Sequence, residues 1–415
     1  MLFFKLFRES VLFAFDALRQ NKLRTMLSLL GVTIGIFTVI GVLSAVDTLR
    51  ANLQKSVDKL GGNSVYVQKW PWIGGEDFPW WKYLQRPNAR LRDFYELQRR
   101  SQTAAAVTYE IQINDRTIKY KSNTAEGVQV NAVTQDHDKV WNFDLAQGRY
   151  FTDIDSRAGA PVAVIGFDIA DNLFPNGDAI GKKVKVMGRY LTIIGVFSKE
   201  GKDIFGNSDD KTIMIPLNFA RDVIDVQNDQ YQPTIIVKGK AGLTDVDVES
   251  ELEGLMRSIR MIKPGQEDNF SLNRATLISN QLDKVFSFLT VAGWIIGGFS
   301  ILVGGFGIAN IMFVSVKERT NIIGIQKSLG AKNYFILLQF LIESIVLCLV
   351  GGAIGLGLVY AFTFIVKAAT DIQVVLDMGN IIIGLSTSIT IGVISGIIPA
   401  YSASRLDPVE AIRSN

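Results

Sequence analysis

The sequence predicts an α-helical membrane domain of four transmembrane helices joined to an α+β extracytoplasmic domain. Three observations predict it. Apolar runs long enough to cross a bilayer lie toward the two ends of the chain. Residues 51–283 between them have the composition of an ordinary water-soluble domain, with strand-like alternation and amphipathic helical patterns. Lys and Arg gather on the flanks that must share one side of the membrane.

Composition narrows the function classes. The mean hydropathy of +0.23 is high for a soluble protein. The net charge of +3 gives no global basicity that would steer the chain to nucleic acid. The single cysteine, Cys348, excludes a disulfide within the chain. With His137 the only histidine, no His/Cys cluster has metal-ligand spacing. No nucleophile–base constellation stands out. Nor does G-x-x-x-x-G-K-[ST] occur, so this chain has no phosphate loop of that kind, and any ATP must be bound by a partner. No catalytic, cofactor or metal site is therefore expected here.

Residues 1–22 place Phe3, Phe4, Phe7, Val11, Phe15 and Leu18 at helical spacing, with Lys5, Arg8, Glu9, Asp16 and Arg19 between them. This predicts an amphipathic helix lying in the inner membrane interface, the alternative being an extension of the first span. Residues 23–50 hold the first span and the start of a stalk. Met26–Val46 is too long for a signal-peptide core, and Arg19, Lys22 and Arg24 keep its N-terminus inside. Helical pattern continues through Asp47–Leu60, until Gly61-Gly62 stops it.

The soluble segment, residues 51–283, opens with a strand at Ser64–Gln68, followed by a helix at Leu91–Arg100 and a strand at Val107–Ile113. A second strand–helix–strand set follows much later: Thr234–Lys238, Thr244–Ile259 and Asn269–Asn273. Thr244 is the expected N-cap, and Val248, Leu252, Leu255, Met256 and Ile259 fall on one helix face. Between the two sets, residues 116–216 read as an inserted β-rich lobe. Trp70–Trp81 carries four of the six tryptophans among Pro and Gly. It is either a surface that touches lipid headgroups or a partner, or a loop with its own small core. His137, between Asp136 and Asp138, reads as a solvated loop residue, and Asp153 and Asp155 as turn residues.

The second span is residues 284–314, rich in Gly293, Gly297, Gly298, Ser300, Gly304, Gly305 and Gly307. Gly31, Gly35, Gly297 and Gly304 predict close helix packing and a dimer through the first two spans. A cytoplasmic loop follows over residues 315–333. In the amphipathic segment that runs to Gly330, Ile322, Ile323, Ile325 and Leu329 offer an apolar face, and Lys317, Glu318, Arg319 and Lys327 a polar rim. Residues 334–366 form the third span, 367–380 an outer loop, 381–403 the fourth span and 404–415 a cytoplasmic C-terminus. Glu343 lies nine residues into the third span, about 14 Å along a helix. An ionisable group there is either functional or a structural group that meets a neighbouring helix.

Three stretches then carry a resemblance. The first is Val314-Ser315-Val316-Lys317-Glu318-Arg319-Thr320 through Gly324–Ala331 into Leu337–Glu343. The second is Pro399-Ala400 with Arg405–Arg413. The third runs from Gly148–Thr152 and Val162–Gly166 to Leu173-Phe174-Pro175, Gly181 and Ile194–Val196. In this order they resemble the MacB/FtsX-type permeases of the type VII ABC transporters. The resemblance implies porter-like strand–helix–strand units with a sabre-like inserted lobe, in the periplasm of a bacterial inner-membrane protein. It implies that residues 315–333 form a coupling helix on a separate ABC ATPase subunit, that the permease works as a homodimer or as a heterodimer with a paralogue, and that no substrate passes between the spans. Motion is expected to travel along the first two spans and expel cargo, such as an antibiotic or peptide, through a periplasmic adaptor and a TolC-like outer-membrane channel. An FtsX-like transmitter that controls a periplasmic hydrolase and a lipoprotein-releasing permease are the alternatives. Asn321-Ile322 stands where the family commonly has Arg-Glu, and Gln326 where it commonly has Arg.

Overall fold

The computed structural model describes residues 22–59, 63–74, 78–175, 177–201, 208–370, 374 and 376–413. Residues 1–21 of the expected interfacial helix and the Gly61-Gly62 stop lie outside the described residues. The chain divides into two compact units, Met1–Arg50 with Lys284–Asn415, and Ala51–Asp283.

The soluble unit is built on one mixed sheet. Its strands are β1 (Ser64–Gln68), β2 (Ala104–Tyr120), β3 (Asn123–Val133), β4 (Leu145–Gly148), β5 (Val162–Ile165), β6 (Lys183–Val186), β7 (Arg189–Phe197), β8 (Thr212–Pro216), β9 (Thr234–Gly239) and β10 (Ser271–Arg274). They lie in the order β10-β1-β9-β2-β3-β8-β5-β7-β4, with β6 against β2 and β7. Antiparallel β9 sits between β1 and β2, which makes those two parallel and joins them through helix α2 (Leu91–Arg100). In the same way β1 sits between β9 and β10, which are joined through α4 (Asp245–Ile259). The two strand–helix–strand sets thus interleave as split βαβ units.

Period-2 alternation sends Val65, Val67, Val107, Tyr109, Ile111, Ile235 and Val237 to one face of this sheet. Leu91, Phe94 and Leu97 of α2 and Val248, Leu252, Met256 and Ile259 of α4 belong to the same core. Thr244 caps α4 by accepting from the Asp247 amide while the Asp247 carboxylate accepts from the Thr244 amide. Buried Arg260, just after α4, donates to buried Asp93 of α2 at 2.8 Å and to the Asn88 carbonyl at 3.0 Å. Residue 116, where the inserted lobe was expected to begin, falls inside β2. The chain makes a hairpin there rather than a break, with Lys121 at φ +51°. The lobe's strands, with α3 (Phe167–Leu173) packed beside them, continue the same sheet through the parallel pair β3–β8.

The opposite sheet face buries Tyr66, Ala106, Val140 and Ile236 beside polar Glu110 and Asn131. Glu110 accepts from the Gln112 amide at 3.1 Å, and Gln129 donates to Asn131 at 2.9 Å. His137 is not a solvated loop residue: it opens the short helix His137–Val140, is 2% exposed and stacks on Trp141. Trp70 packs with Phe78 and Tyr83, and Trp72 packs on Tyr66 and donates to Gln68 at 2.7 Å. Trp80 and Trp81 remain exposed, so the tryptophan-rich stretch is a small core and an open surface together.

Among the described residues, the other unit carries four helices long and apolar enough to cross a membrane. They belong to α1 (Lys22–Lys59), α5 (Ala275–Glu318), α7 (Asn333–Thr370) and α8 (Met378–Ser404). Two short helices accompany them, α6 (Thr320–Ser328) and α9 (Pro408–Arg413). Val32, Ile36, Val39 and Ile40 of α1 form a core with Ile301, Ile308 and Met312 of α5 and Phe340 and Leu347 of α7. Three polar side chains of this unit bond across helices. Thr33 donates to the Gly351 carbonyl at 3.1 Å and Ser344 to the Gly392 carbonyl at 2.8 Å. Asn380 donates to Asp47 at 2.8 Å.

Candidate functional site

The predicted glycines meet within one chain. A Cβ on Gly31 would lie 2.8 Å from the Gly304 Cα, and one on Gly297 would lie 3.0 Å from the Gly35 carbonyl oxygen. Gly293 against Val42 and Gly307 against Ser28 extend the seam. The expected use of Gly31, Gly35, Gly297 and Gly304 between two copies is therefore corrected: α1 and α5 of the same chain occupy these surfaces. The reason is steric, because backbones that touch leave no room there for a third helix.

The loop between α5 and α7 is almost entirely helical. α5 ends at Glu318, Arg319 occupies the N-cap position, and α6 runs from Thr320 to Ser328. Gly330 at φ +96° ends it, its amide donating to the Lys327 carbonyl at 3.0 Å. Ile322, Ile325 and Leu329 are 52%, 47% and 84% exposed. Steps of three and four residues place them on one face of the helical turn. Lys317 and Glu318 are exposed beside them.

Three members of the expected site turn inward. Ile323 is buried in the membrane unit's core. Arg319 does not join the rim but reaches Glu343 of α7, with Nη1 3.4 Å from Oε2. Lys327 donates to the Ser404 and Leu406 carbonyls, both at 2.7 Å, and so satisfies the orphan end of α8. The physical cause is common to all three: α6 lies against other helices, so half of its circumference is interior. Glu343 is 1% exposed, and its Oε1 and the Ser315 hydroxyl are buried with no hydrogen-bond partner among the described residues. Its ion-pair partner, Arg319, ties it to the loop.

Some contacts were missed by sequence reasoning. Gly324 faces Ala411 of α9, and a Cβ there would lie 2.9 Å from the Ala411 Cβ and 3.0 Å from Ile412 Cγ1. The only signal was a glycine inside an apolar helical pattern. In the soluble unit, burial pushes the Glu110 carboxyl up to about 7; the Gln112 hydrogen bond opposes this and Asp209 adds to it. Burial pushes the His137 imidazole down to about 3. Backbone and side-chain donors from Thr152 and Arg149 lower Asp155 to about 2, a helix cap. Among the described residues no group of three or more His, Cys, Asp or Glu is placed to hold a metal ion.

Residues 25–255 match the family model described as the MacB-like periplasmic core domain, and residues 294–408 match the FtsX-like permease C-terminal model. A probable export ATP-binding/permease protein MacB of Pseudomonas entomophila is 31% identical, over 98% of this chain and 59% of the relative. A probable syringafactin export ATP-binding/permease protein, SyfD, of Pseudomonas syringae pv. tomato is 30% identical, again over 98% of this chain and 59% of the relative. The chain therefore spans about three fifths of the length of these relatives. Among solved structures, the periplasmic region of MacB from Actinobacillus actinomycetemcomitans aligns at 16% identity and TM-score 0.44, over 56% of this chain and 97% of that one.

Proposed function

The chain belongs to the MacB/FtsX-type family of ABC transporter permeases, and from that premise we propose that it is the permease subunit of an ATP-driven exporter. It sits in a bacterial inner membrane and docks a separate ATP-binding subunit on α6. ATP-driven motion of that subunit moves its extracytoplasmic domain, which expels cargo of the antibiotic or peptide kind towards an outer-membrane channel. The observation that carries this reading is the exposed Ile322–Ile325–Leu329 face on a helix fixed from behind by Arg319, Ile323 and Lys327. A loop that merely reversed the chain would have no need to hold three large apolar side chains in water at helical spacing.

Force needs a stiff path. α1 and α5 have 38 and 44 residues. At 1.5 Å per residue they are roughly 57 and 66 Å long, about twice a hydrocarbon core. Their glycine seam lets the two backbones touch, so they act as one rod. Within the soluble unit, the strand ladders of one continuous sheet spread a load. The printed names of the relatives speak of export and ATP binding. For this chain, export, the ATP-binding partner, the dimeric state and any adaptor are parts of the proposal.

The test is Ile325→Ala combined with Leu329→Ala. Truncating two buried anchors weakens an interface by about 2 kcal/mol or more, roughly thirtyfold in affinity. Membrane levels should stay normal, because both side chains point away from the core. ATPase co-purification and ATP-dependent function should fall together. Full binding and activity in this double variant refute the docking role.

A further inference from the structure

We propose that the C-terminal helix α9 is the second half of the surface that receives the ATP-binding subunit, clamped to α6 so that the two move as one body. This rests on the docking role of α6 argued above and extends it to a segment about 80 residues further along the chain.

The helix is locally well made. Asp407 caps it, its carboxylate accepting from the Val409 amide at 2.8 Å and the Glu410 amide at 3.4 Å. Pro408 stands at the first helical position, where a missing amide proton costs nothing. So α9 forms in place without help from a partner.

Its attachment to α6 is close. Ala411 is 2% exposed, and Gly324 is the residue it meets. Any side chain at Gly324 would press on the Ala411 Cβ and on the Ile412 amide nitrogen, 3.1 Å from the Cβ position. Lys327 adds a second clasp from the same helix through the Ser404 and Leu406 carbonyls, which lead directly into α9. With Ala411 turned inward, Val409 and Ile412 are 64% and 44% exposed. Five large apolar side chains are then open on two short helices.

The size of a protein interface decides who the occupant is and why α9 must contribute. A stable interface takes about 800 Å² and 20–30 residues from each partner. The nine residues of α6, with Ile323 and Gly324 buried, supply too little of that alone. α9 is the short helix packed directly against it, at Gly324. Around the joint apolar patch, Lys317, Glu318, Arg405, Asp407 and Glu410 are exposed, an apolar centre with a charged rim of both signs. A bilayer interior would exclude that rim, and a protein groove accepts it. The names of the relatives, of whose length this chain spans about three fifths, include ATP binding, and an ATP-binding protein is the occupant this proposal commits to. Load entering α6 and α9 together reaches α5 and α7, which flank α6, and α8, which leads into α9. Three spans respond rather than two.

The experiment uses the full-length permease in membranes with its co-expressed ATP-binding subunit. Val409→Glu with Ile412→Glu should cut co-purification of that subunit and ATP-dependent activity at least tenfold, at unchanged membrane level and melting temperature. Ile325→Ala with Leu329→Ala is run beside it. If the second pair uncouples and the first binds and works like wild type, the role of α9 is overturned and that of α6 stands. If neither pair has an effect, both fall. Should the charged variant fold poorly, a photo-crosslinking amino acid in place of Val409 decides. Capture of the ATP-binding subunit supports the proposal. Capture of lipid only, or of nothing while the same probe at Ile325 captures the subunit, overturns it.

Discussion

Replacing Arg319 by Met should destabilise the membrane unit through the carboxylate it leaves behind. Glu343 is 1% exposed, and one of its two oxygens has no hydrogen-bond partner among the described residues. Arg319 is its ion-pair partner, at 3.4 Å, and is itself 16% exposed on its side chain. Removing one member of a buried pair costs about 3–5 kcal/mol, because the other charge is left without compensation in a poor solvent. The long contact and the partly hydrated guanidinium place this pair at about 3 kcal/mol. Removing both charges, as Arg319→Met with Glu343→Leu, takes away the attraction and the desolvation cost together, and should return stability to within about 1 kcal/mol of wild type. Glu343→Gln alone should fall between. The assay is unfolding of the purified permease in detergent, followed by tryptophan fluorescence, as a double-mutant cycle. ATPase coupling should survive in the double variant within about threefold, since Lys327 and Gly324 still hold α6. A single Arg319→Met variant as stable as wild type, or a double variant as unstable as the single, refutes the reasoning.

Glu110→Gln should change how the stability of the extracytoplasmic unit depends on pH. The Glu110 carboxyl is raised from 4.5 to about 7, so its contribution is fully present below 4.5 and is lost as pH rises through 7, a gap of about 3 kcal/mol at about 1.4 kcal/mol per pH unit. His137 is lowered from 6.5 to about 3, so its contribution is present above 6.5 and is lost as pH falls through 3. The two slopes oppose between roughly pH 4.5 and 6.5; denaturant titrations of the Gln variant should show only the rise to 6.5 and then a plateau, and an unchanged wild-type curve would contradict the burial of Glu110. Gly304→Leu should cost about 3 kcal/mol in detergent unfolding, because its Cβ would press on backbone atoms at Gly31 and Val32. Gly298→Leu, with nothing within 4 Å of its Cβ, should cost almost nothing; equal effects at the two sites would remove the seam. Asp93→Ala should lower the midpoint of the extracytoplasmic unit by the equivalent of about 3–5 kcal/mol, since buried Arg260 loses its carboxylate; a loss under about 1 kcal/mol would show the guanidinium satisfied by carbonyls alone.

What could be read from the sequence was local. The four apolar runs, the 2-residue alternation of Ser64–Gln68 and the Thr244 cap with its helix face each depend on neighbours within about a turn or two, so the pattern carries the physics. What escaped depends on distant partners. His137 between two aspartates looks hydrated, and only folding sets Trp141 and Thr108 around it. Arg319 finds a carboxylate 24 residues away, and Lys327 finds carbonyls 77 and 79 residues away. The glycine seam was visible as small residues at helical spacing, yet the pattern is the same whether the second helix comes from this chain or another. Small residues report closeness without naming the partner.

The inward turn of two cations has a consequence for recognition. A loop reading of α6 counts Lys317, Glu318, Arg319 and Lys327 as a charged rim, with a surplus of positive charge. With Arg319 held by Glu343 and Lys327 by carbonyls, the exposed part of that rim is one cation and one anion, Lys317 and Glu318, beside neutral Asn321. An ATP-binding subunit built to meet a strongly charged coupling helix would leave its own charges unpaired and desolvated here, which costs more than a missing attraction. If α6 docks an ATP-binding subunit as proposed, selection between partners falls to the residues at which this chain departs from the family pattern, Asn321, Ile322 and Gln326, and to the shape of the apolar face that includes Ile325 and Leu329. On the proposed docking role, anchoring comes from behind the helix and discrimination from in front of it, by different side chains, so a change of partner could evolve on the exposed face without loosening the joint.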